Sequence, residues 1–283
     1  MQSDDIKLIS GDQIEAIKKV TYFAESQYAN LDIKGTLEFF IKRFVTQITD
    51  FIEIKKRIVI ADIGAGFGWL SMAFAFTFDF DIIAVDSNRK RLEAGKEIAR
   101  ILNIESKIDW RVGSLGSLPI DEREVDIVYC IEVLEHVYGS VNALQDLCRI
   151  SKDLIVLTTP NLWFPIIAHD TRLPFCHWLP INIRKQYAKL FNKEHLEYDN
   201  LFWSPLTIKK CMPEFVPISR WLHYDSYKKY LETFPFYLPY GSGKWVNDVG
   251  MLKNIYYYMI SKLGEKSHYF SPSLSYVFKR KIK

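Results

Sequence analysis

Arg57-Ile58-Val59-Ile60-Ala61-Asp62-Ile63-Gly64-Ala65-Gly66-Phe67-Gly68-Trp69-Leu70 decides the fold of this 283-residue chain. A run of β-branched and apolar residues ends on an acid, passes through three closely spaced glycines and enters an apolar segment. That order reads as a buried strand, a tight turn and the start of a helix. A second apolar run, Asp81-Ile82-Ile83-Ala84-Val85-Asp86, places another acid 22 residues after Gly64. Strand, glycine turn, helix, strand and terminal acid together describe the nucleoside-binding half of a parallel sheet.

Outward from this unit, strands alternate with helices. Strands are expected at 57–63, 81–86, 107–112, 125–133 and 153–159, with helices at about 67–78, 88–102 and 140–151. Later segments at 215–222 and 274–280 also read as strands, and 11–28 and 34–53 as amphipathic helices. The alternation predicts a doubly wound, mostly parallel α/β sheet. The expected organisation is N-terminal helices over 1–53, a nucleoside-binding core over 54–161, a lid over 162–203, and the end of the sheet over 204–283. An aromatic insertion occupies 224–268 of that last part.

The glycine spacing narrows the ligand. A dinucleotide fingerprint keeps its third glycine one position later, where this chain has Trp69. The Asp-x-Gly-x-Gly-x-Gly pattern from Asp62 to Gly68 resembles motif I of the class I S-adenosylmethionine-dependent methyltransferases. The resemblance implies a seven-stranded sheet closed by an antiparallel pair. It implies that Asp62 holds the amino end of S-adenosylmethionine, that Gly64, Ala65, Gly66 and Gly68 line it, and that Asp86 with Ser87 takes the ribose. After the third strand the family often has an acid near the adenine. Here the segment is Val112-Gly113-Ser114-Leu115, so Ser114 and Leu115 are the expected contacts without a carboxylate.

The fourth strand ends in Glu132-Val133-Leu134-Glu135-His136-Val137, similar to small-molecule O-methyltransferases such as those of ubiquinone biosynthesis. Glu132 is placed beside the cofactor. Three readings of the string stand open. His136 is a general base or an orienting group; or Glu132, Glu135 and His136 bind Mg²⁺ or Mn²⁺, completed by His169 or His177; or the second Glu and the His are structural. The fifth strand ends in Thr158-Thr159-Pro160-Asn161, where Asn161 is expected to hold a substrate hydroxyl or simply to make a turn.

The segment after Asn161 carries three prolines, two tryptophans, two histidines and Asp170-Thr171-Arg172. Its prolines exclude a long helix, so it reads as an ordered lid. The segment is similar to the acceptor part of glycan-pathway methyltransferases. That similarity makes His169 and His177 candidate bases, and Arg172 and Trp163 candidate acceptor contacts.

Charge is divided along the chain. Residues 1–161 carry 19 Lys and Arg against 25 Asp and Glu, and residues 162–283 carry 18 against 9. The second part also holds 26 of the 42 aromatic residues, from Tyr224 and Tyr227 through Trp245 to Tyr256-Tyr257-Tyr258. A basic, aromatic surface suits a glycan, a membrane interface or a nucleic acid, the last being less favoured. No segment approaches the roughly 20 apolar residues of a membrane span. Four dispersed cysteines suit a reducing, cytoplasmic compartment and no disulfide frame. The expected activity is O-methylation of a hydroxyl on a sugar, glycan or other small polar acceptor. An RNA 2′-O-methyltransferase with a Glu/His metal site, a nicotinamide-dependent oxidoreductase and a silent binding protein are the rivals.

Overall fold

The computed structural model describes residues 9–53, 57–137, 141–167, 171–193, 202–220, 227–232, 236–237 and 245–282. Its centre is a seven-stranded sheet in the order β3-β2-β1-β4-β5-β9-β6. The strands are β1 Val59–Ile63, β2 Asp81–Asp86, β3 Ile108–Val112, β4 Val125–Ile131, β5 Ser151–Pro160, β6 Phe215–Ser219 and β9 Ser273–Arg280. β1 to β5 pair in parallel, and β9 runs antiparallel to both β5 and β6. The expected fold and its closing antiparallel pair are both present. A separate two-stranded ribbon joins β7 Phe236–Tyr237 to β8 Trp245–Val246.

Alternation along the strands sorts the two faces. Ile60, Ile82, Ala84, Ile127, Tyr129 and Val156 point to one side, where they meet α4 Trp69–Thr77, α5 Arg89–Ile101 and the N-terminal helices. Ala61, Ile63, Val85, Val128, Cys130 and Leu157 point to the other, against α6 Val141–Ile150 and α8 Pro205–Cys211. Both faces are covered, as a parallel sheet requires. All four cysteines are free thiols.

The N-terminal helices are shorter than the periodicity suggests. α1 Gly11–Lys18 begins with a capping box, in which Ser10 Oγ accepts from Gln13 N. The chain then turns at buried Val20 and restarts as α2 Thr21–Ala24, which lets Phe23 enter the core. α3 Ile33–Phe40 continues through a π turn at Ile41–Val45 and a 3-10 turn to Asp50. The lid region contains α7 Ile181–Leu190, which starts directly after Pro180. α9 Tyr227–Glu232 and α10 Met251–Ser261 form within the aromatic insertion. Among the described residues no helix is long and apolar enough to cross a membrane.

Candidate active site

The carboxyl ends of β1, β2, β4 and β5 converge, and the glycine turn lies at their middle. Gly64 N and Ala65 N both donate to Val85 O, at 2.8 and 3.0 Å, fastening the turn to β2. Gly64, Gly66 and Gly68 all have left-handed φ, at 76°, 61° and 79°. Their surroundings differ. A Cβ on Gly64 would lie 2.4 Å from Val133 Cγ2, and one on Gly68 2.5 Å from the Trp110 ring. On Gly66 the nearest atom would be Arg91 Cδ, 3.4 Å away. Packing therefore enforces the outer glycines, whereas Gly66 faces room for a ligand.

Asp86 closes this space. Its Oδ2 accepts from Gly66 N and its Oδ1 from Asn88 N, each at 2.8 Å. Each oxygen keeps a second lone pair, which suits a pair of neighbouring hydroxyls. Ser87 stands exposed beside it, and Ala65 is half-buried. Asn88 caps α5 through Arg91 N and donates to Tyr22 Oη, so the N-terminal turn reaches the same spot. Phe67, inside the glycine turn, is enclosed by Tyr22, Phe23 and Tyr28.

Asp62 has a different task from the one expected. Strand alternation turns it toward α4, where Oδ2 accepts from Ser71 N at 3.2 Å and Ser71 Oγ at 2.7 Å. Burial pushes its carboxyl up to about 6, against the lowering effect of the Ser71 bonds. It fastens the first turn of the helix to the strand.

Beyond β3, Gly113 N donates to Asp86 O, and Ser114 is exposed with Leu115 half-buried. This loop is held by a pair that the sequence reading missed. Buried Asp146 accepts from Gly116 N and Leu118 N through Oδ2, at 3.0 and 2.8 Å. Arg149 binds Asp146 Oδ1 and donates to Leu118 O and Ile120 O. The available signal was an acid on the apolar stripe Ala143, Leu147, Ile150 of α6.

At the end of β4, Glu132 has φ 53°, and its N–H donates to Thr158 O and Oγ1. Glu135 is 1% exposed and accepts from Thr159 Oγ1 at 3.2 Å. Burial first, and then the charge of Glu132, raise its carboxyl well above the usual range. His136 is exposed. The cause is local: Leu134–His136 is a 3-10 turn, not an α-turn. The expected metal triad of Glu132, Glu135 and His136 is therefore not assembled. Among the described residues no three His, Cys, Asp or Glu side chains gather to hold a metal ion.

The start of the lid is anchored by residues that had been expected to react. Asn161 is fully buried; its Nδ2 donates to His268 O, Tyr269 O and Ser271 O, and its Oδ1 accepts from Trp163 N. Both N–H donors of that amide are spent within the protein, and full burial keeps the remaining lone pair of Oδ1 from a substrate hydroxyl. His177 is buried, its Nε2 lies 3.0 Å from Leu162 O, and burial lowers its pKa. It pins the lid and is not poised as a base. Trp178 Nε1 donates to the same Leu162 carbonyl. Trp163 is 40% exposed and packs on Tyr269. Arg172 is exposed with φ 56°. His169 lies outside the described residues.

Comparison with known proteins agrees with this geometry. Residues 60–153 match the family model of a methyltransferase domain. An uncharacterized methyltransferase of Schizosaccharomyces pombe is 26% identical over 156 residues, covering 51% of this chain and 57% of the relative. The chain thus matches little more than half the length of that relative. Two solved structures share the fold. One chain, from the complex between the Haloferax volcanii Trm112 methyltransferase activator and a methyltransferase, has a TM-score of 0.52 at 12% identity, covering 93% of this chain and 98% of that one. A protein provisionally assigned as a sarcosine dimethylglycine methyltransferase of Galdieria sulphuraria has a TM-score of 0.51 at 13% identity, covering 86% of this chain and 84% of that one. Residues 60–153 thus match a methyltransferase domain, and they supply four of the five parallel strands of the seven-stranded sheet together with the start of the fifth.

Proposed function

We propose that the protein methylates a hydroxyl group of a sugar, glycan or other small polar acceptor, using S-adenosylmethionine. The observation that carries this reading is the space in front of Gly66, bounded by Asp86. When bound, S-adenosylmethionine supplies an electrophilic methyl group on a sulfonium. Asp86 would accept the ribose hydroxyls, the Gly64–Gly66 backbone would lie along the amino-acid end, and Ser114 and Leu115 would meet the adenine.

The chain's other duties are alignment and proton removal. Alignment comes from the rigid strand ends and from the lid footing at Asn161. Proton removal falls to His136, the exposed histidine at the end of β4. Its imidazole takes the acceptor hydroxyl proton as the oxygen attacks. Trp163 and Arg172 lie on the lid and would contact the acceptor. The partition into N-terminal helices, core, lid and closing strands follows the same division of labour.

Isothermal titration calorimetry with S-adenosylmethionine and S-adenosylhomocysteine tests the reading. Micromolar binding that Asp86→Ala weakens by about 100-fold is expected, since charged hydrogen-bond partners contribute about 1.5–3 kcal/mol each. Binding that Asp86→Ala leaves intact would remove the cofactor assignment. An acceptor screen by methyl transfer then separates wild type from His136→Ala, for which kcat is expected to fall about 100-fold. Unchanged kcat would exclude His136 as the base.

A further inference from the structure

The C-terminal part carries a largely open apolar face, on which only Tyr258 is met by a described ring, that of Tyr227 at 5.4 Å. On α10, Met251, Leu252, Ile255, Tyr258 and Met259 fall on one side of the helix, and Leu263 extends it. Their exposures run from 44% at Leu263 to 79% at Leu252, far above those of a helix packed on a core. The helix is anchored from behind by buried Ile260. Through Phe164 and Tyr256, whose rings lie 6.2 Å apart, the face adjoins the lid. There Trp163, Ile166, Phe175 and Trp178 are also 40–51% exposed.

The charges around these side chains are predominantly basic, with Asp170, Asp248 and Glu265 among the acids that border the two stretches. Residues 171–193 contain Arg172, Arg184, Lys185, Lys189 and Lys193 and no acid, and residues 249–263 contain Lys253 and Lys262 and no acid. Lys262 stands within the apolar face of α10, its Nζ 4.8 Å from the centre of the Tyr258 ring. Large apolar and aromatic side chains flanked mainly by lysine and arginine match a surface that lies in the headgroup region of an anionic bilayer. A second copy fits poorly, because in a two-fold contact the basic face would meet itself.

We propose that the α10 face and the lid together form a docking surface for an anionic phospholipid membrane. The lid begins at the carboxyl end of β5, so docking brings that end of the sheet toward the bilayer. The proposal concerns binding alone and is independent of the methyl-transfer reading.

Vesicle flotation of the full chain tests it, with phosphatidylcholine alone and with phosphatidylglycerol added. Binding to the phosphatidylglycerol vesicles only, weakened by salt, is expected. The double variant Leu252→Glu/Met259→Glu changes two exposed side chains and is expected to lower partitioning at least about tenfold with the circular dichroism spectrum and Tm unchanged. Lys262→Glu leaves the apolar face in place and is expected to lower binding about threefold to tenfold, at about 1 kcal/mol per basic residue near an anionic surface. Failure to float with phosphatidylglycerol vesicles, or flotation untouched by both variants, would overturn the proposal. So would light scattering that shows a dimer split by the double variant, or association with a protein partner, in the absence of vesicle binding.

Discussion

The glycine turn and the lid stand on neighbouring strand ends, yet they are built in opposite ways. In the turn, the residues that face the ligand space are the ones that the local pattern singles out. Gly66 is open, and Asp86, 20 residues away, bonds directly to it. In the lid, the conspicuous polar residues are fasteners. Asn161 holds three carbonyls, and His177 and Trp178 share the carbonyl of Leu162. A reactive-looking side chain marks a reaction only where its hydrogen-bonding capacity is left over, and buried polar groups rarely leave any.

The largest expected effect tests the lid side. Asn161→Ala would strand three buried carbonyls and the Trp163 N–H, for a loss of about 3–5 kcal/mol in denaturant unfolding. Activity per folded molecule should survive at moderate temperature. A variant of wild-type stability with a raised acceptor KM would instead return Asn161 to the binding site.

On the turn side, the glycines should separate. Gly64→Ala forces a Cβ against Val133 at a left-handed φ and is expected to destabilise by about 3 kcal/mol. Gly66→Ala meets only Arg91 and should destabilise by about 1 kcal/mol, yet weaken S-adenosylhomocysteine about tenfold or more. Thermal unfolding and calorimetry on both variants check this. Equal profiles would erase the distinction between a packed and an open glycine.

A smaller effect belongs to the loop beyond β3. Asp146→Asn keeps the shape but loses the charge that Arg149 binds, so the adenine loop should loosen. S-adenosylhomocysteine affinity is expected to drop about threefold to tenfold while kcat at saturation is retained. A fall in kcat alone would contradict that role.

The smallest effect concerns the Glu132–Glu135 pair. Burial raises the folded-state pKa of Glu135 above its ordinary 4.5, so the folded protein holds a proton that the unfolded chain releases. Stability from this group is therefore full below 4.5 and is lost as pH rises toward the raised value. Glu135→Gln keeps a neutral side chain and should flatten the Tm–pH curve, with a gain of about 1 kcal/mol on the alkaline side. A steeper curve in the variant would show Glu135 to be ionised in the native protein.

Much of the sheet was legible because each parallel strand is a short apolar run ended by a turn residue, as in Ile60 to Gly64 and Ile82 to Asp86. The closing strands were legible too, although the pairing of β9 with β5 spans more than a hundred residues. Three features escaped. The 3-10 turn at Leu134–His136 set which of two adjacent residues faced solvent, and periodicity does not distinguish it from an α-turn over three residues. Asp62 was assigned to the ligand because its neighbours are glycines, but strand alternation gave it to Ser71. The turn that Asn161 makes with Trp163 N was legible, but its bonds to His268, Tyr269 and Ser271 were not, because these lie far away in sequence.

That distance has a consequence for assembly. The bonds of the glycine turn join residues separated by about 20 positions, whereas the Asn161 amide reaches carbonyls 107, 108 and 110 residues downstream. Loop closure over the longer span carries the greater entropic penalty and comes later in folding. During synthesis the bonds between the glycine turn and β2 can form soon after Asp86 emerges. The lid acquires its footing only when the final strand has been made and has slotted between β5 and β6. The glycine-turn half of the molecule takes shape early, and the half that carries the lid is completed last.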